Sequence, residues 1–144
     1  MFKLNVEDRL SAWIKHREEL DNIEDPLQAV WDFWHQAPFI PHNRNIDPYY
    51  QKSWPSPWEI IAENKYDDFT RALMIGYTLK LTKKFKHSKI ELRTLVDITQ
   101  PREYNIVYID ENWMLNYDDE GPVSVKNFNN SFKIENLIEL TVPR

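Results

Sequence analysis

The sequence predicts an α+β domain with N-terminal helices packed on a C-terminal antiparallel sheet. Two observations carry this. Apolar residues recur at helical spacing through the first eighty positions, and the period then shortens toward two from Ile90 onward. Neither an internal repeat nor a linker divides the chain, so residues 1–144 are expected to form one domain.

The first helix is announced by Asn5, a capping residue with Asp8 three positions on. Leu10, Trp13, Ile14 and Leu20 follow at roughly helical intervals. A second helix starts at Asp25-Pro26, where Asp caps and Pro has a backbone suited to the first helical position. Its apolar residues are Leu27, Val30, Trp31 and Trp34, and Pro38 stops it.

Residues 38–55 read as a Pro-rich, aromatic, irregular segment that wraps the core and presents a binding edge. Phe39, Tyr49, Tyr50 and Trp54 lie in it, and Trp58 follows; these five are the candidate binding residues. Ser56-Pro57-Trp58-Glu59 is a capping box with Pro at the first helical position, so a short helix runs from it to about Asn64. Asp67 or Asp68 then caps a longer helix bearing Phe69, Leu73, Met74 and Tyr77. Gly76 inside it is expected to admit the close approach of another element, since Gly costs about 1 kcal/mol against Ala there.

Three strands follow: Ile90–Ile98, Tyr104–Ile109 and Trp113–Tyr117, the last two joined by a hairpin through Asp110-Glu111-Asn112. Asp118 to Pro122 is a turn. The tail, Phe132–Ile134 and Leu137–Val142, adds one or two more strands.

Composition excludes several kinds of chemistry. There is no cysteine, hence no thiolate nucleophile, disulfide, Cys-ligated zinc or iron–sulfur cluster. Gly76 and Gly121 are the two glycines, which disfavours a glycine-rich phosphate loop. The net charge of −5 and a pI of 5.4 disfavour a general nucleic-acid surface. The basic run Lys80, Lys83, Lys84, Lys86 and Lys89 reads first as a solvated helix end.

No apolar run is long enough to cross a bilayer, and the N-terminus lacks the layout of a secretory signal. A cytoplasmic location is therefore expected, including the cytoplasm of an infected host or a virion. At this length a chain buries about 70% of its unfolded surface. Six Trp, seven Tyr and seven Phe exceed what such a core usually needs, so some rings should line a contact surface.

The histidines give no metal spacing. His16 reads as exposed and His35 as a hydrogen-bonded core or boundary residue, while His42 could pair with Asp47. The acidic residues Asp110, Glu111, Asp118, Asp119 and Glu120 read as turn formers. Glu59, Glu63 and Asp67 read as a solvated stripe, and Glu91-Leu92-Arg93 is a poor match to a nuclease strand. No metal and no cofactor are expected.

The stretch Tyr66-Asp-Asp-Phe-Thr-Arg-Ala-Leu-Met-Ile75, followed by Tyr104–Trp113 and Asp118, resembles the transglutaminase-like superfamily, which has the papain-like cysteine-protease architecture. The resemblance spans roughly residues 58–120. It implies a helix opening on a nucleophilic cysteine, a strand carrying a histidine, and a following aspartate. In this chain those places fall at Tyr66, Tyr104 and Asp118. A phenol of pKa about 10 replaces neither thiolate nor imidazole at neutral pH.

The resemblance thus implies a site dead as a thiol enzyme. The reading is a non-catalytic protein-binding or structural module. Its partners would be other protein chains: further copies of itself, or virion proteins if, as the Asn- and Lys-rich texture suggests, it comes from a tailed bacteriophage. Two alternatives stay open: a small hydrolase or transferase using a Tyr/Asp cleft, and a nucleic-acid-binding accessory protein.

Overall fold

The computed structural model describes residues 1–117, 119–128 and 132–143. Four helices come first: α1 Val6–Leu20, α2 Pro26–His35, α3 Pro57–Glu63 and α4 Asp68–Lys80. Each begins at its sequence-predicted cap. The Asn5 side chain accepts the Asp8 N–H at 2.9 Å, and Asp25 accepts that of Gln28 at 3.3 Å. Ser56 and Glu59 close a reciprocal box at 3.2 and 3.1 Å. Asp67, rather than Asp68, caps α4, accepting from both the backbone N–H and the hydroxyl of Thr70.

Five strands follow: β1 Ile90–Asp97, β2 Glu103–Ile109, β3 Trp113–Leu115, β4 Val123–Ser124 and β5 Phe132–Glu139. All neighbouring pairs are antiparallel, in the order β4-β3-β2-β1-β5. The two-residue β4 has no sequence signal, and the tail makes one strand. Asp110 and Glu111 take positive φ at the hairpin, and Asp110 accepts the Lys89 N–H at 2.8 Å, which is the turn role expected of these acids. Asp118 lies outside the described residues.

Strand alternation sorts the sheet into two faces. Ile90 and Leu92 of β1, with Val107 and Ile109 of β2, join the helical core around Leu73, Ile75 and Leu79. Leu95, Tyr104, Ile106, Tyr108 and Met114 form a second cluster on the other face, against which Val125, Phe128 and Phe132 pack. Helix α4 is the central element: most of its residues are buried. A Cβ at Gly76 would meet the tip of the Leu140 side chain, which would have to shift, and Ile90 Cγ2 at 3.5 Å, so the glycine lies where the Leu140 and Ile90 side chains approach α4.

Several expectations change. His16 is buried, its ring stacked on Phe33 at 3.9 Å, because α1 turns that residue toward α2. Burial lowers its pKa to about 4. His35 is exposed, with ring contact to Trp31 at 5.0 Å. Lys80 leaves the basic run: it is buried, and its ammonium donates to the carbonyls of Lys86 and Ser88 at 3.0 and 2.7 Å, tying down the turn after α4. Glu91 is a buried partner of Arg93 at 2.9 Å. Among the described residues no helix is long and apolar enough to cross a membrane.

Candidate functional site

Tyr66 and Tyr104 lie on opposite sides of the sheet. Tyr66 sits in the helical core at 1% exposure, edge-on to Phe2 at 5.8 Å and Trp34 at 5.4 Å. Among the described residues its hydroxyl has no hydrogen-bond partner, and burial drives the phenol well above its ordinary pKa. Tyr104 belongs to the other face, 5.2 Å from both Tyr117 and Phe132, with the Arg102 guanidinium 4.6 Å over its ring. The two phenols therefore do not share a cleft.

Two residues after Tyr66, one after Tyr104 and just past β3, three other side chains meet. Asp68 is the first residue of α4, Asn105 lies in β2 on the helix-facing side, and Asn116 follows β3. Asp68 Oδ2 accepts the backbone N–H of Asn105 at 3.2 Å and its side-chain amide at 3.0 Å. Asp68 Oδ1 accepts from Asn116 Nδ2 at 3.2 Å. The same Nδ2 donates to the carbonyl of Asn105 at 2.9 Å and to that of Asp68 at 3.3 Å. Asn116 holds φ at 72°, a left-handed conformation that Asn tolerates better than most residues. Thr94 on β1 donates to Asn105 Oδ1 at 3.2 Å.

Arg71, one turn along α4, completes the group. Its Nε donates to Asn116 Oδ1 at 3.1 Å, and its Nη2 stands 3.9 Å from Asp68 Oδ1. The guanidinium lies 5.7 Å from the Trp31 ring and 6.0 Å from that of Phe39. Asp68, Arg71, Asn105 and Asn116 line a cleft of about 360 Å3, with Phe39, Glu103, Asp119 and the predicted site residue Tyr104 also on its walls. A larger hollow of about 670 Å3 between Glu18 and Lys84 is an open surface depression. Glu18, Asp21, Asn22, Lys83 and Lys84 line it, and the Asp21 carboxylate already accepts the N–H groups of Lys83 and Lys84.

Desolvation raises the Asp68 pKa, opposed by the donors of Asn105, Arg71 and Asn116. Desolvation also raises that of Glu103, with repulsion from Glu135 and Asp68 adding to it. An amide neither gives nor takes a proton at neutral pH, so Asn105 and Asn116 can orient and hold but not serve as acid or base. What they hold is a carboxylate at a helix N-terminus, where negative charge is favoured.

No family model matches this sequence, and no curated protein matches it either. Solved structures do match. LapG of Legionella pneumophila in its calcium-bound form has a TM-score of 0.68 at 15% identity, covering 94% of this chain and 77% of LapG. A second LapG structure gives 0.66 at 14%, covering 92% and 75%, and the EGTA-treated form gives 0.62 at 15%, covering 90% and 71%. LapG has the cysteine-protease architecture of the transglutaminase-like proteins.

The fold is transglutaminase-like.

In this chain the opening of α4 meets β2 through the hydrogen bonds of Asp68 and Asn105. At such low identity the likeness speaks for the fold alone. Among the described residues no group of three or more His, Asp or Glu could hold a metal ion.

The five candidate binding rings divide. Phe39, Tyr49 and Tyr50 are 59%, 60% and 57% exposed. Trp54 and Trp58 are half-buried and face inward. The Trp54 indole donates to the Asp47 carbonyl at 2.6 Å and its ring meets Phe69 at 5.4 Å, while Trp58 meets Trp13 at 6.0 Å. The segment carrying them is pinned by a parallel bridge between Phe39 and Tyr66 and by the Asn43 N–H on Asp67 at 2.9 Å. His42 stands 4.0 Å from Asp67, whereas Asp47 accepts the Tyr49 N–H at 2.9 Å.

Sequence reasoning missed Asp68, Asn105 and Asn116, although a signal existed for one. Asn105 shares parity with Val107 and Ile109, so it is a polar residue in a buried row.

Proposed function

We propose that this protein is a non-catalytic protein-binding module on a transglutaminase-like fold. The observation that carries the reading is the trio Asp68, Asn105 and Asn116 at the junction of α4, β2 and β3. The resemblance implies a thiolate, an imidazole and a carboxylate at such a junction. Here there is no thiol in the chain, the strand offers an amide, and the helix offers a carboxylate whose oxygens accept from both amides. Acyl transfer through a thiolate has neither its nucleophile nor its base.

The exposed rings of Phe39, Tyr49 and Tyr50 supply the contact surface, with the cleft beside Phe39 as its polar end. Other protein chains fit such a surface better than nucleic acid does, given the net charge and the burial of Lys80. The Asn- and Lys-rich composition supports a bacteriophage virion component or host-directed accessory protein. A cytoplasmic setting fits the lack of cysteine. The test is purified protein assayed for peptide and ester hydrolysis alongside partner capture: capture that depends on the three rings, with no turnover, is expected. Turnover that depends on Asp68 would overturn the reading.

One observation favours a second reading. Asp68 is a part-buried carboxyl, its side chain 40% exposed, whose pKa is raised in a cleft, as that of a general base would be. On that reading Asp68→Asn abolishes an activity in protein that still folds, a loss beyond the stability that goes with the hydrogen bonds from Asn105 and Asn116.

A further inference from the structure

We draw no further inference here: the strongest candidate, the pocket of about 200 Å3 on the helix-free face of the sheet, walled by the stacked rings of Phe128 and Phe132 and open toward exposed Ile134, is an unpartnered apolar face, and nothing in the structure shows what covers it.

Discussion

The carboxylate of Asp68 accepts both the backbone N–H and the side-chain amide of Asn105, at 3.2 and 3.0 Å. One oxygen thus ties the start of α4 to the middle of β2. Asn116 closes the arrangement from the end of β3, and Arg71 fixes the Asn116 amide in turn. Every member of the group holds another in place, which suits a rigid cleft floor better than a proton relay.

Removing the hub should be costly. Asn116→Ala deletes the two amide N–H groups shared among three acceptors and the acceptor for Arg71, and places Ala at positive φ. The expected loss is about 2–4 kcal/mol. Urea denaturation measures it, and Asn116→Gly should recover only the backbone share. A loss within 0.5 kcal/mol, the ordinary range of surface substitutions, would show that the network holds nothing.

A second hub lies deeper. The indole N–H groups of Trp13 and Trp34 both donate to the single hydroxyl oxygen of Thr78 at 3.0 Å, and that hydroxyl donates to Met74. Thr78→Val keeps the shape but orphans two buried donors, for an expected cost of about 2–5 kcal/mol. Thr78→Ser keeps the oxygen, so most of the stability should survive; thermal unfolding of the pair checks this.

His16 makes stability depend on acidity. Its folded pKa is about 4, below the unfolded value of 6.5, so the unfolded chain binds the extra proton first. Stability should therefore fall as pH drops from about 6.5 toward 4, by up to about 3 kcal/mol from this residue, and its contribution levels off below. His16→Phe should flatten that part of the profile. Parallel pH profiles for the two proteins would contradict the burial of the imidazole.

The three exposed rings should matter for partners and not for folding. Replacing Phe39, Tyr49 and Tyr50 by Ser should change stability by no more than about 1 kcal/mol in all. Cross-linking to neighbouring chains should drop at least tenfold. By contrast Trp54→Ser and Trp58→Ser should destabilise, because those rings face Phe69 and Trp13.

The fold was largely legible because its signals are local. Asn5, Asp25, Ser56 and Asp67 each cap where a short polar side chain precedes an apolar period, and no tertiary contact is needed to see it. Strand β4 and the burial of His16 and Lys80 depend on what packs nearby, which periodicity does not carry. The pairing of Asp68 with Asn105 escaped the sequence for a related reason. Tyr66 precedes α4 and Tyr104 lies on β2, but a one-residue step along β2 moves a side chain through the sheet, so it is Asn105 and not Tyr104 that faces the start of α4.

The most direct measurement exploits the absence of cysteine. A thiol introduced by Asp68→Cys, with Asn105→His on the facing strand, can be alkylated at a range of pH, and the rate reports its pKa without any substrate. If Asp68 and Asn105 occupy the places of nucleophile and base, that thiol should titrate at least one unit below the ordinary value of about 8.5 and below Asp68→Cys alone. The pair Tyr66→Cys with Tyr104→His, divided by the sheet, should show no such lowering. An unshifted thiol at position 68, or a lowered one at position 66, would place the site elsewhere.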